Sequence, residues 1–449
     1  MARKSHILFI ASISFLVSMN WTFAQTIDTN PGTSKAFSSL EEVLAYTTDN
    51  SISLKNQEIK MEQAKKAKLA AVLGTIDVTG ALLNAQLTDN TTLGVNLFPA
   101  EIFGGEPGTF KEVQMGVQYN TNLTNYADVK LVNPTGWSNL KLSKINILLT
   151  SSTNQISLKN LQENIAKNYY NIVNLQEQIG SSQQHLAIAD TLYHITQNKF
   201  AEGLVKQQDV NDSKVNWLNS QENLSQLEYL LEQYYISLKL LCDIPEHEQI
   251  EIRQVSLPKQ EMEAPNVLLN ELQLRSSILQ QQYAKTAYKS AKATFLPTLS
   301  LQLSNSNNLY NTEFKPLSGN WINSNYIGVN LSIPIPSSQR ISQKYNAQYD
   351  YQMAINNTEQ AEIQAGLTQQ SLQSEYEQAV SQARTNQEIL SLREDSFKKN
   401  QQLYQEGLIS LEVVLNSFNS MVSAEYNLIS SEVNVELTRS NININNTIR

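Results

Sequence analysis

Phe200-Ala201-Glu202-Gly203-Leu204-Val205 and Tyr404-Gln405-Glu406-Gly407-Leu408-Ile409 are two copies of one turn, 204 residues apart, and they decide how the chain folds. Each Gly-Leu pair interrupts a long stretch that has almost no other helix breaker. No proline occurs between Pro134 and Pro245, and none after Pro336. Apolar residues recur there at three- and four-residue steps, as in Leu158, Leu161, Ile165, Tyr169, Ile172, Leu175 and Ile179. That spacing is the stripe of an amphipathic helix. It predicts helices at about 143–200 and 206–241, then at 339–403 and 410–440, with shorter ones at about 38–72 and 266–294. At about 1.5 Å per residue the longest reach roughly 80–100 Å.

The turns also expose a duplication. Aligning Gly203 with Gly407 matches Val210 with Val414 and Leu224 with Leu428. Upstream, Gly116-Val117 aligns with Gly328-Val329, and Leu73-Gly74 with Leu296-Pro297. Two related halves are expected, 25–251 and 267–449, joined by a linker at 252–266.

Between the helices of each half lie alternating segments. Val113, Met115, Val117, Tyr119, Thr121 and Leu123 alternate with Gln and Asn; Ile327, Val329, Leu331, Ile333 and Ile335 alternate with Gly, Asn, Ser and Pro. Weaker partners begin at Ile76 and at Leu299. Strands are therefore expected at about 75–88, 111–123, 297–305 and 325–335. Period-two alternation over about ten residues, with polar side chains on one face, suits a membrane-crossing barrel strand. Four strands cannot close a barrel, and an open edge in lipid leaves backbone groups unsatisfied. Closure thus calls for other copies of the chain, with a helical conduit at one end.

Composition agrees. Only 15 of the 449 residues are Gly and 11 are Pro, while Asn and Gln number 47 and 41. The amide excess is the expected lining of a wet tube. A net charge of −9 argues against a nucleic-acid partner. Arg3 and Lys4 precede an apolar run, Ile7 to Val17, and Ala24 closes a small-residue cleavage signal. Residues 1–24 read as a secretory signal peptide, too short in their apolar part to span a bilayer. Removing Arg3 and Lys4 takes the charge from −9 to −11. The one cysteine, Cys242, supplies neither an internal disulfide nor a lipid-bearing N-terminus. The chain is expected to be exported.

The order helix, strand pair, long helix, Gly-Leu turn, helix, given twice, resembles the TolC family of outer-membrane efflux and secretion ducts. The resemblance is carried by Phe295-Leu-Pro-Thr-Leu-Ser-Leu301, by Leu331-Ser-Ile-Pro-Ile335, and by Tyr404-Gln-Glu-Gly407 followed by Val413-Val-Leu-Asn416 and Ala424-Glu425. Leu240-Leu-Cys242-Asp-Ile-Pro245 is similar to the family's junction after the fourth helix, with Cys242 near a usual Gly, which suggests a small buried thiol. It implies a homotrimer: a shared twelve-stranded barrel in outer-membrane lipid, four strands per chain, above a trimeric periplasmic α-barrel. It also implies a passive channel that carries small molecules or proteins. Energy would come from an inner-membrane transporter, reached through a periplasmic adaptor protein.

In such a duct the two Gly-Leu turns form the periplasmic tip. Gly203 and Gly407 permit the tight turns, and Leu204 and Leu408 are the expected adaptor contacts. Past the turn, members often carry Asp-Val-Leu-Asp; here the second copy reads Val413-Val414-Leu415-Asn416, so its ring is neutral at Asn416. The first copy reads Asp209-Val-Asn-Asp212, with both carboxylates on one helix face. Three chains could gather six such carboxylates, and the hypothesis is that Asp209 and Asp212 set cation preference. Tyr404 matches a family position that holds the tip shut, with Ile409 where a basic partner is expected. His185, His194 and His247 form no metal-ligand spacing with one another or with Cys242. No catalytic residue, cofactor or metal is assigned. Two other readings stay open: a periplasmic coiled-coil scaffold or adaptor without a pore, and an enzyme whose chemistry leaves no motif. Salt extraction separates the first, because a scaffold washes off membranes while a barrel needs detergent.

Overall fold

The structure is a computed structural model that describes residues 35–90, 93–253 and 265–448. The expected signal peptide at 1–24 and most of the expected linker lie outside the described residues.

A short strand β1 (Lys35–Phe37) leads to helices α1 (Leu40–Asn50) and α2 (Ile52–Leu73). Strand β2 (Val78–Asp89) follows, then a hairpin of β3 (Gly94–Pro99) and β4 (Phe110–Met115), then β5 (Tyr119–Val132). Helices α3 (Pro134–Ala201) and α4 (Gln207–Cys242) form the first long hairpin. After β6 (Ile250–Ile252), the pattern returns as α5 (Leu272–Ala293), β7 (Thr298–Asn311), β8 (Trp321–Ser332), α6 (Ser338–Gln405) and α7 (Leu411–Thr447).

Helices α3 and α6 are each 68 residues long, roughly 100 Å of rise. Asn133 starts α3 by accepting from the Gly136 N–H at 3.0 Å, while its own amide donates to the Gly74 carbonyl at 2.9 Å. One side chain thus caps α3 and ties it to the end of α2. Pro134 occupies the first helical turn, where its missing N–H costs nothing. The helix therefore starts at the proline, about nine residues before the expected 143. Ser337 caps α6 in the same place.

The expected single helix at 38–72 is two helices. Its break is fixed from far along the chain: Asp243, held at φ 53, accepts from the Ser51 hydroxyl at 3.0 Å and from the Ile52 N–H at 2.8 Å. An anion at a helix N-terminus is favoured by the unsatisfied N–H groups there.

The four-stranded antiparallel sheet has the order β2-β5-β7-β8, with β2 and β8 at its edges. Here the strand expectations need correction. The segment 111–123 is two strands in different sheets, parted at Gly116, whose φ of 131 closes that position to other residues. The strand that joins the large sheet is β5 at 119–132, beside β2 at 78–89. In the second half the strands span 298–311 and 321–332. Between the first two expected strands the chain carries β3 and one turn of 3-10 helix at Ala100–Phe103.

These boundaries revise the repeat alignment. The caps Asn133 and Ser337 are 204 residues apart, as are Gly203 and Gly407, so the long hairpins keep one offset throughout. The strand starts Val78 and Thr298 are 220 apart. The surplus of the first copy thus lies in the strand region, around the β3–β4 hairpin. Gly116, at a strand break, is not the counterpart of Gly328, which sits within β8 paired to Gln302.

Among the described residues two large buried clusters, with a smaller third at Val267, Tyr376 and Ile442, hold the helices together. Phe37, Val43, Ile165, Tyr169, Ile172, Leu238, Cys242, Leu272 and Val433 pack where both halves meet, beside the parallel β1–β6 pair. Cys242 is fully buried there, and burial pushes its thiol pKa up. Leu192, Phe397, Leu411, Val414 and Phe418 form a second core nearer the Gly-Leu turns. Among the described residues no helix is long and apolar enough to cross a membrane.

Candidate functional site: the tip of the long hairpins

Both turns are built alike. Gly203 and Gly407 take φ of 76 and 79, the left-handed region that a side chain disfavours. The Leu204 N–H donates to the Lys199 carbonyl at 2.8 Å and the Gly203 N–H to the Phe200 carbonyl at 2.9 Å. Leu408 and Gly407 repeat this on Leu403 and Tyr404 at 2.9 and 3.0 Å. This paired pattern is the Schellman closure, which satisfies the last carbonyls of a helix. It turns the chain within a few residues and projects the next side chain outward. Leu204 and Leu408 are each 67% exposed.

Tyr404 is buried beneath this surface and joins the two hairpins. Its hydroxyl lies 3.2 Å from Thr196 Oγ1, and the Lys199 ammonium sits 4.7 Å from its ring centroid. Lys199 Nζ also donates to the Tyr404 carbonyl at 2.6 Å and the Gln405 carbonyl at 3.1 Å. A cation on the last carbonyls of α6 satisfies them and complements the negative end of the helix dipole. Burial raises the Tyr404 pKa, so the phenol stays neutral. Ile409, where a basic residue is expected, packs instead against the nearby apolar core.

Lys199 was missed by sequence reasoning. The basic partner comes from the other repeat and from before its glycine, four residues upstream of Gly203. The only local signal was a lysine in the last turn of a helix.

The four candidate gate residues separate in role. The Asp209 carboxylate accepts from the Lys206 N–H at 2.8 Å, so it caps the start of α4. Asp212 and Asn416 are exposed, and Tyr404 is buried. Asp209 and Asp212 share the first turns of α4, whereas Asn416 stands at the matching end of α7.

Farther from the tip, α3 and α7 enclose a polar cluster. His185 Nε2 lies 2.7 Å from Glu425 Oε2, and the Ser181 hydroxyl donates to the other carboxylate oxygen. The Asn223 amide donates to the Tyr426 hydroxyl at 2.8 Å, bringing in α4. The His185 hydrogen bond, opposed by burial and helped by Ser181, holds the Glu425 pKa below the usual carboxylate range. Among the described residues no group of three or more His, Cys, Asp or Glu could hold a metal ion.

The family model for outer membrane efflux proteins matches residues 63–242 and 264–442. The outer membrane protein VceC of Vibrio cholerae has a TM-score of 0.73 at 14% identity, covering 90% of this chain and 95% of VceC. The Campylobacter jejuni CmeC outer membrane channel gives 0.68 at 17% identity, covering 90% and 85%. The open state of the Neisseria gonorrhoeae MtrE outer membrane channel gives 0.68 at 14%, covering 90% and 88%. No curated protein matches the chain by sequence. At such identities these structures share the fold.

Proposed function

The chain belongs to the outer membrane efflux protein family, and from that premise we propose how it works as a trimeric duct. It is an outer-membrane efflux channel whose helices extend into the periplasm. In the proposed assembly each chain loses residues 1–24 and contributes two repeats, 25–251 and 267–449, with 252–266 between them. Three copies of the four-stranded sheet close a twelve-stranded barrel, and the long hairpins close a tube below it.

The carrying observation is the open-edged sheet at one end of two 68-residue helices. Edges β2 and β8 need partners in lipid. The exposed stripe Ile341, Tyr345, Tyr349 and Met353 on α6, at four-residue spacing, likewise asks for a neighbouring helix. A pore-free scaffold explains neither feature.

Leu204 and Leu408 are the contacts for a periplasmic adaptor, and an inner-membrane transporter supplies the energy. The cargo is small molecules or proteins, carried passively. Asp209 and Asp212 line the entrance, Asn416 leaves the opposite helix neutral, and Tyr404 holds the two hairpins together.

A test uses a strain that lacks the protein and retains a fluorescent efflux substrate. The wild-type chain is expected to restore export. Leu204→Ser with Leu408→Ser, still trimeric in the outer membrane, is expected not to. Full restoration by that variant would remove the tip from the adaptor interface.

A further inference from the structure

Side chains alternate between the faces of the sheet. One face of β7 and β8 carries Leu299, Leu301 and Leu303 opposite Leu331, Val329 and Ile327. The other carries Ser300, Gln302 and Ser304 opposite Asn330, Gly328 and Tyr326. The leucine face is the lipid face of the proposed barrel.

In the next two tiers away from the helices, the same leucine face changes character. Asn305 stands opposite Asn325, and Asn307 opposite Asn323. Their side chains form a closed ring of hydrogen bonds. Asn305 donates to Asn325 at 2.7 Å, Asn325 to Asn323 at 3.1 Å, Asn323 to Asn307 at 2.8 Å, and Asn307 back to Asn305 at 3.1 Å. A fifth, Asn125, pairs with Asn305 from β5 and is exposed. The ring uses one N–H and one lone pair of each of its four amides, which leaves a second donor and acceptor on each.

Below the ring the apolar series is continuous: Ile335, Ile333, Leu331, Val329 and Ile327 are all exposed. Eight residue steps, the last three past the end of β8 at Ser332, span about 20 Å at a strand rise of about 3.3 Å and a tilt of roughly 40°, close to the ~25 Å apolar band of such barrels. Above the ring the outward side chains of β7 and β8 do not extend that band. Leu309 is only 1% exposed, because the β7–β8 loop lies on it; a Cβ on Gly319 would meet its Cδ1 at 2.7 Å. Beside it stand Trp321, opposite Leu309, and the Tyr119–Phe314 edge-to-face pair with centroids 5.5 Å apart. The hydrocarbon-facing belt is complete before the asparagines begin, and amides with free N–H groups are costly within hydrocarbon.

We propose that the asparagine ring lies in the headgroup layer of the outer leaflet and, with the aromatic tier above it, binds the sugar headgroup of an outer-leaflet glycolipid. The inference rests on the barrel reading above. Neutral amides that each offer a donor and an acceptor match sugar hydroxyls, and aromatic rings offer faces for sugar rings to stack on. The ring contains no Lys or Arg, so it offers a bare phosphate no charge-paired contact.

The test reconstitutes the full-length trimer in phospholipid vesicles, with or without short-sugar lipopolysaccharide. Nitroxides are placed at Asn125→Cys, which stands beside the ring and makes none of its four hydrogen bonds, and at Ile327→Cys; Cys242 is buried and is left in place. The Ile327→Cys label is expected to collide with oxygen, and the Asn125→Cys label with a water-soluble nickel chelate. Lipopolysaccharide should suppress the nickel collisions at Asn125→Cys. On unlabelled protein, native mass spectrometry should show lipopolysaccharide retained by the wild type and lost from Asn305→Leu with Asn325→Leu. An oxygen-dominated label at Asn125→Cys overturns the headgroup placement. Nickel collisions indifferent to lipopolysaccharide, or equal retention by the variant, overturn the sugar site. Nickel-dominated collisions at Ile327→Cys overturn the barrel reading itself.

Discussion

Lys199 Nζ sits 4.7 Å from the centroid of the Tyr404 ring and 2.6 Å from the Tyr404 carbonyl oxygen, so one ammonium joins the ends of α3 and α6. A hydrogen bond to a charged group contributes about 1.5–3 kcal/mol, and a cation over an aromatic face about 0.5–1 kcal/mol at exposed sites. Lys199→Met removes both, which is expected to shift the tip toward open by about tenfold or more, since about 1.4 kcal/mol is a factor of ten. Tyr404→Phe keeps the ring and loses only the Thr196 contact, so its shift should be a few-fold. Single-channel open probability measures both. A Lys199→Met channel as closed as the wild type contradicts the lock.

The glycines make a different demand. No atom lies within 4 Å of a Cβ built on Gly203 or Gly407, so any cost of alanine there is backbone strain alone. In the left-handed region that cost is roughly 1 kcal/mol per site. Gly407→Ala is expected to lower the urea midpoint slightly and Gly407→Val to lower it further. A Gly407→Val protein as stable as the wild type contradicts the turn geometry.

Asp209 and Asp212 should come apart under mutation. Asp209 caps α4 through the Lys206 N–H, so Asp209→Ala is expected to destabilise by about 1 kcal/mol. Asp212, exposed and outside that cap, is the carboxylate free to act on ions. Asp212→Asn should reduce cation over anion permeability in reversal-potential measurements and leave the unfolding midpoint in place. If Asp209→Asn with Asp212→Asn leaves both selectivity and divalent-ion block unchanged, these carboxylates do not set ion preference.

The polar cluster of α3 and α7 gives a pH dependence with a definite sign. Glu425 is held below its ordinary value of 4.5 chiefly by the His185 hydrogen bond. A carboxylate whose folded pKa is depressed adds stability above its unfolded pKa, and that stability is lost as pH falls through the lowered folded value. As pH falls from above 4.5 through the lowered folded value, the wild type should therefore lose more stability than Glu425→Gln. Parallel melting curves for the two proteins across that range would count against the pair.

Long-range architecture was legible in the sequence where it rests on local backbone physics. Proline-free stretches and the two glycines gave the hairpins, since only glycine readily takes the φ values seen at 203 and 407. What escaped depends on partners remote in sequence. The α1–α2 break at Ser51 is set by Asp243, 192 residues away. The Lys199–Tyr404 contact spans 205 residues and crosses from one repeat to the other. The β4–β5 break was hidden because alternation runs unbroken through Gly116, although the chain changes sheets there. Alternation reports that a segment has two faces and is silent on its pairing partner. The asparagine ring was obscured likewise: its members lie 16 to 20 residues apart across a hairpin, and only the register brings them together.

One chain cannot build this pore. The need for three copies is tested by extracting the protein in detergent, weighing the complex by native mass spectrometry, and recording that sample in planar bilayers. The prediction is a mass of three chains and discrete single-channel currents, with longer openings for Lys199→Met. A monomer that passes no current would contradict the account.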